Sequence, residues 1–244
     1  MTIQQFPTIE RSALAALAPL HVFTARALSF RGESLVADWE ALGRALETPQ
    51  DRIVRVSQVH GRRVLLVRPG DDLPGVQEAD AIVSTDPDRA IAVRVADCVP
   101  ILVADRRRRV VAAIHAGWRG TCAAISRAAI ESIQELGVPA SDLVASIGPS
   151  MGPCCYQVDD RVRTTFLSVT PEAEAWFTED GRAHWKLDLW RANVDQLVAA
   201  GVPESSIQVM GVCTGDDRER CWSYRRDGAN AGRMVAAIRL TRDR

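Results

Sequence analysis

Residues 90 to 116 read AIAVRVADCVPILVADRRRRVVAAIHA. Three Val- and Ile-rich runs inside this stretch, Ile91 to Val95, Ile101 to Ala104 and Val110 to Ile114, predict β-strands. Several of these runs are apolar at consecutive positions, so both faces of their sheet must be covered by further layers. Arg106 to Arg109, with Asp105 before them, lie between the second and third runs and read as a charged hairpin tip rather than a nucleic-acid patch. Outward from this segment, Arg52 to Val56, Val64 to Val67 and Ala81 to Val83 add strands. At the far end Met234, Ala236, Ile238 and Leu240 alternate with other residues and add one more.

Helical periodicity appears from Thr121 to Leu136. Ile125, Ala128, Ala129, Ile133 and Leu136 share one stripe, Thr121 is placed to cap the start, and Gly137 to end it. A second helix is expected from about Asp188 to Ala200, with Asp188 as N-cap, Gly201 just past the end and Pro203 beyond. Strands and helices therefore mix, which gives an α/β or α+β fold. No repeat, low-complexity tract or Gly/Ser linker divides the chain, and one domain over residues 1–244 is expected.

Of the 244 residues, 47% are apolar and 25% charged, the composition of an ordinary folded chain. Thirty basic against 31 acidic residues leave a net charge of −1. With no global field to gather polyanions, neither nucleic acid nor a membrane surface is expected as a partner. Lys186 is the only lysine, so single arginines reflect compositional bias and are weak signals. The opening MTIQQFPTIERSALAALAPLH has no basic n-region, and no apolar run approaches the roughly 20 residues of a membrane helix. The expected location is the cytoplasm, where thiols stay reduced. Oligomeric state is not set by any of these features.

Six cysteines, at 98, 122, 154, 155, 213 and 221, contain no C-x-x-C pair, which excludes a zinc ribbon. Adjacent Cys154 and Cys155 would point apart on extended backbone and chelate poorly. That pair, with Cys122, Cys213 and Cys221, reads as small buried hydrophobes.

Four histidines are present. His21 falls in an apolar strand and His184 in a polar loop. His60 follows RIVRVSQV and precedes Gly61, and His115 follows VVAAI and opens HAGWRG. Between them Cys98 interrupts two apolar runs, next to Asp97 and just ahead of Pro100, which is expected to kink the chain and bring the thiol to an edge. Two His and one Cys at three strand ends have the chemistry of a zinc site with an open fourth position. Their wide spacing leaves two other readings open: core packing, and Cys98 as a thiolate nucleophile with His115 as its base. Gly117 and Gly120 bracket a turn into a helix, where backbone N–H groups and Arg119 suit an anion. Arg225 lies in a second expected loop, SYRRDG. Gly148 to Gly152 formally matches a G-x-S-x-G elbow, but Pro153 and the cysteines follow where a helix is required, and the elbow is rejected.

SQVHG (57–61), ADCVPILVAD (96–105), IHAGWRG (114–120), SIGPSMGPCCYQV (146–158) and SYRRDG (223–228) occur in this order. Together they resemble the purine nucleoside phosphorylase family once labelled multicopper polyphenol oxidase or laccase-domain protein, some members of which are described as peptidoglycan editing factors. The likeness runs from about Ser57 to Leu240; upstream, only Thr24 and Arg26 echo the family pattern. It implies a layered α/β/β/α sandwich with mixed sheets, and His60, Cys98 and His115 as zinc ligands. It also implies phosphorolysis of adenosine, inosine, guanosine and methylthioadenosine, with adenosine deamination as a companion activity. Four histidines are too few for a multicopper centre, although one copper in place of zinc is compatible with the same ligands. On this reading Cys98, His115 and Asp97 are the catalytic candidates, with Asp97 orienting a ligand or moving a proton. Arg119 and Arg225 are the phosphate candidates. A Cys98/His115 amidase acting on cell-wall precursors and a non-catalytic metal-binding module are the competing expectations.

Overall fold

The computed structural model describes residue 8, residues 13–17 and residues 20–241. One sheet has five strands in the order β1 (Leu20–Phe23), β14 (Met234–Arg239), β6 (Ala90–Val95), β2 (Ile53–Ser57) and β4 (Gln77–Glu78). The other has six: β13 (Ile207–Val209), β9 (Leu143–Ile147), β7 (Val99–Asp105), β8 (Val111–Ala116), β5 (Ala81–Ser84) and β3 (Val64–Val67). Both are mixed. In the first, β2 runs parallel to β4 and β6 while β14 is antiparallel to its neighbours. In the second, β7, β8, β9 and β5 pair antiparallel and the two outer strands pair parallel. A small antiparallel sheet is built from β10 (Gln157–Asp159), β12 (His184–Leu187) and β11 (Phe177–Glu179).

The two large sheets pack face to face, and strand alternation sorts their side chains. On β6, Ile91 and Val93 enter the intersheet core with Leu102 and Ala104 of β7 and Ala236 and Ile238 of β14. Ala90 and Ala92 face the other way, toward Trp39 and Leu42 of α1 (Leu35–Ala45). On β7, Ile101 and Val103 point away from the first sheet, into a layer with Ile130 and Ile133 of α3 (Ile125–Glu135) and Leu197 of α5 (Leu189–Ala199). Phe166 of α4 (Asp160–Val169) joins that layer. The result is the expected α/β/β/α sandwich, and the double burial explains the continuous apolar runs.

The expected helix at Thr121 to Leu136 is two helices. Gly117 caps α2 (Trp118–Cys122), Ala124 turns the chain at φ 59°, and α3 follows. Thr121 is therefore not a cap. It is buried inside α2, where its Oγ1 accepts a bond from Asn193 Nδ2 at 3.2 Å. The second helix starts as expected, with the Asp188 carboxylate accepting from Arg191 N at 2.9 Å. SYRRDG is a short helix, α6 (Tyr224–Asp227), capped by Ser223, rather than a loop. Arg106 to Arg109 do form the β7–β8 hairpin tip. There Asp105 accepts from the Arg109 guanidinium at 2.7 and 2.9 Å.

Candidate active site and metal centre

Four chain segments meet where the two large sheets share an end. His60 follows β2, Asp80 immediately precedes β5, Cys98 lies in the crossing from β6 to β7, and His115 is the penultimate residue of β8. His115 thus lies within a strand rather than beyond its end. Pro100 also sits inside β7, register-paired with His115. The bend falls just ahead of it, at residues 96–98, where Asp97 takes φ 89°.

These segments bring together the three residues whose spacing left their relation open. One donor atom each from His60, Cys98 and His115 lie within 4.8 Å of one another. The Cys98 Sγ is 3.9 Å from His60 Nε2, and the two imidazoles meet edge to face with centroids 4.9 Å apart. A side chain at Gly117 would put its Cβ 2.9 Å from that sulfur and 3.1 Å from His60 Cδ2, so glycine there is what lets α2 close over the cluster.

Asp80, fully buried, organises this arrangement, and the sequence reading missed it. Its Oδ1 lies 2.8 Å from His115 Nδ1 and accepts from His60 N at 2.9 Å, while Oδ2 accepts from Gly61 N at 2.7 Å. Its own carbonyl accepts from His115 N at 2.7 Å. A carboxylate on Nδ1 keeps a proton there and turns Nε2 toward Cys98. The two backbone bonds also anchor His60 in the left-handed conformation, φ 61°, which a non-glycine residue keeps only when so held. The available signal was an acid directly ahead of the run AIVS.

The electrostatics follow from the geometry. Burial pushes the Cys98 thiol up, but His115 and His60 outweigh it and bring it down to about 6. Burial pulls His115 down, yet Cys98 and Asp80 raise it to about 9. Burial also raises Asp80, and the bonds from His115, Gly61 and His60 hold it below its ordinary value. Without a metal, the cluster at neutral pH is a thiolate beside an imidazolium.

The donor set suits a thiophilic or borderline cation: two imidazole nitrogens and a thiolate converge, one imidazole is oriented by a carboxylate, and His60 opens to solvent. His21 and His184 lie elsewhere, on β1 and β12. The cluster forms part of the wall of a cavity of about 620 Å³, together with Phe30, Tyr224, Arg31, Arg94 and Arg233. That is the size of a small-ligand site. Burial, then the like charges of Arg233 and Arg55, press Arg94 below its ordinary value. No carboxylate pairs with Arg94 or Arg233 among the described residues, so the cavity carries uncompensated positive charge.

Asp97, adjacent to Cys98 in sequence, turns away from the imidazoles. Its carboxylate accepts from Thr214 Oγ1 at 2.6 Å and Arg225 N at 2.7 Å. Arg225 lies over the Tyr156 ring and donates from Nη1 to the Gln157 carbonyl, and Arg119 stacks over Trp118. Both arginines act on the Tyr156 hydroxyl, which is raised first by burial and then by Cys98 and Asp97. Upstream, Thr24 Oγ1 accepts from Val235 N of β14, and Arg26 stacks on Trp222 in the segment just ahead of α6. Ser150, of the rejected elbow, is buried and donates to the Gly148 carbonyl, with no helix after it.

Fold and site together define a laccase-domain protein. A family model described as multi-copper polyphenol oxidoreductase laccase matches residues 31–241, and the chain belongs to that family. It is 35% identical over 228 residues to a protein named purine nucleoside phosphorylase YlmD from Geobacillus stearothermophilus, covering 90% of this chain and 81% of that protein. It is 32% identical to a protein of the same name from Bacillus subtilis, covering 84% and 76%. The crystal structure of the Geobacillus YlmD superposes with a TM-score of 0.87 at 30% identity, covering 97% of this chain and 100% of that one. The Bacillus licheniformis protein YfiH superposes at 0.84 with 28% identity, covering 91% and 92%. No helix among the described residues is long and apolar enough to cross a membrane.

Proposed function

We propose that this chain is a zinc-dependent purine nucleoside phosphorylase of the cytoplasm. It acts on adenosine, inosine, guanosine and methylthioadenosine, deaminates adenosine as a side activity, and works as one laccase-domain unit over residues 1–244. The observation that carries the reading is the convergence of His60, Cys98 and His115 on the wall of an arginine-bearing cavity. The names of the relatives at 32 to 35% identity support it.

His60 Nε2, Cys98 Sγ and His115 Nε2 would hold the metal, with copper acceptable to the same donors. Bound there, zinc supplies Lewis acidity near neutral pH. Phosphorolysis breaks the bond between the ribose anomeric carbon and a purine nitrogen and forms one from that carbon to a phosphate oxygen, while the purine takes up a proton. The chain's task is to hold both reactants in line. Tyr224, exposed at the cavity, supplies a flat face for the base. Arg119 and Arg225 beside Tyr156, and Arg94 and Arg233 in the cavity, supply charge for phosphate. Asp80 holds the His115 proton on Nδ1, and Asp97 positions Arg225.

The test is metal content by plasma mass spectrometry on untagged protein and its Cys98→Ala variant, with both incubated with adenosine and phosphate. The expected result is loss of one zinc equivalent in the variant, together with loss of adenine and ribose 1-phosphate release. Full metal and full activity in Cys98→Ala overturn the assignment. The low thiol of Cys98 beside His115 favours one second reading, the cysteine amidase. Protein that as isolated carries no zinc at this site and alkylates at Cys98 supports that reading. Zinc without nucleoside turnover supports a binding module.

A further inference from the structure

A second group of donors lies outside the site just described. Cys154 and Cys155 do not sit on extended backbone. They occupy a turn in which the Gly152 carbonyl accepts from both Cys155 N and Tyr156 N at 3.0 Å. The turn defeats the expectation that adjacent cysteines point apart. Both sulfurs face one carboxylate: Cys154 Sγ is 3.1 Å from Asp216 Oδ2, and Cys155 Sγ is 3.0 Å from Asp216 Oδ1. Cys213 comes in from the other side, its sulfur accepting from Gly152 N at 3.3 Å. All four donor atoms lie within 4.8 Å of one another, and no disulfide joins them. Only Cys213 and Cys221 are buried as the sequence reading expected; Cys154 is exposed, and Cys122 and Cys155 are half-buried.

We propose that Cys154, Cys155, Cys213 and Asp216 form a closed, structural site for a thiophilic divalent cation of the zinc class. Three sulfurs and one carboxylate oxygen complete a tetrahedral shell, with none left for substrate. At Zn–S distances of ~2.3 Å the sulfurs of such a shell stand about 3.8 Å apart, so a small contraction of the present arrangement suffices. The surroundings are cut to fit. A Cβ on Gly215 would stand 2.8 Å from Cys155 Cβ and 3.0 Å from its sulfur, and one on Gly152 would stand 3.3 Å from the Cys154 sulfur. The Gly152 N–H already donates to one sulfur, the kind of bond that steadies a metal-bound thiolate.

On binding, three S–H bonds give way to three S–metal bonds and one O–metal bond forms. Three protons leave to solvent, and no group changes oxidation state. The site ties together two segments that already pair: Ser150 N donates to Val212 O at 3.1 Å and Thr214 N to Ser150 O at 3.0 Å. Those segments hold the Cys98 bend, because Met151 N donates to the Asp97 carbonyl and Thr214 Oγ1 to its carboxylate. The cation would therefore brace the active-site bend without touching substrate. The inference is independent of what the first site binds.

The experiment uses the full chain, reduced and stripped of metal. With the Cys98→Ala variant, cobalt titration is expected to give one equivalent with intense thiolate-to-cobalt absorption in the near ultraviolet. That absorption is lost when Cys154→Ser and Cys155→Ser are added. On the wild-type chain, which needs no variant to fold, zinc is expected to slow alkylation of Cys154 at least tenfold, read by peptide mass. Calorimetry in buffers of differing ionisation enthalpy is expected to show about three protons released per zinc at this site. Asp216→Asn, at an exposed position, is expected to weaken cobalt binding about tenfold with the helix signal unchanged. Absence of thiolate-to-cobalt absorption in Cys98→Ala, or unchanged Cys154 alkylation with zinc present, overturns the proposal.

Discussion

Cys98 sits between two imidazoles in a cavity wall, whereas Cys154 and Cys155 sit on either oxygen of a single carboxylate in a surface turn. The contrast shows how the partner, rather than the residue type, decides what a thiol is. Burial pushes both environments toward the neutral S–H form. Around Cys98, His115 and His60 prefer the anion and bring it to about 6. Around Cys155, burial and then the Asp216 carboxylate push the same group up to about 11, and Cys154 is raised further. One cluster keeps a charged, reactive sulfur next to open space, while the other keeps protonated sulfurs that surrender their protons only to something more strongly attractive, such as a cation.

The largest effect that would sharpen this contrast is reactivity in metal-free protein. At pH 7, Cys98 at about 6 is mostly thiolate, whereas Cys155 at about 11 is so in only about one molecule in 10⁴. A lower pKa also makes a weaker nucleophile, which returns roughly two of those four decades. Cys98 is therefore expected to alkylate about 100-fold faster than Cys155 at pH 7. Its rate should be flat above about pH 7 and fall as pH drops through 6, while that of Cys155 keeps rising past pH 9. Peptide-resolved iodoacetamide rates from pH 5 to 10 check this, and parallel profiles for the two residues break the comparison.

Next in size is the carboxylate that makes the first cluster what it is. Asp80 accepts from three N–H groups. Asn offers one oxygen, so in Asp80→Asn an amide NH₂ must face at least one donor, and the turn at His60 loosens. A 10- to 100-fold loss in zinc affinity is expected, the usual penalty for removing a metal ligand's supporting carboxylate. Competition against a chromophoric chelator measures it. Unchanged affinity would mean that packing alone holds His115 in place.

The same carboxylate marks where sequence reading ran out. Val64 to Val67 was legible to the residue, because a short apolar run bounded by polar residues has few other folded fates. His60, Cys98 and His115 were legible as a set of residue types, since strand ends are where side chains can converge. Their partner was not, because Asp80 is 20 positions from His60 and 35 from His115, and the pairing of β5 with β8 joins them only in space. The break at Ala124 escaped for a different reason: alanine favours helix, and the left-handed turn there is imposed by how α2 and α3 pack, not by local propensity. The Cys154–Cys155 pair was misread because its geometry was taken from extended backbone, and a turn reverses the conclusion.

The smallest expected effect separates the two roles that sequence proximity suggests for Asp97. If this carboxylate only positions Arg225 and Thr214, Asp97→Asn is nearly silent. The amide oxygen still accepts from Arg225 N, and the amide NH₂ donates to Thr214 Oγ1, whose hydroxyl can accept as readily as donate. The expected change in kcat/KM for nucleoside phosphorolysis is below about threefold, ~0.7 kcal/mol of transition-state stabilisation, with an unaltered pH profile. Were Asp97 to carry a proton in the reaction, an amide could not replace it. The variant would then lose about 100-fold or more in kcat, along with one limb of the pH profile. The geometry argues for the first outcome, because both carboxylate oxygens are already engaged by groups that fix α6 and the 214 loop, and the His115 imidazole is served by Asp80 instead.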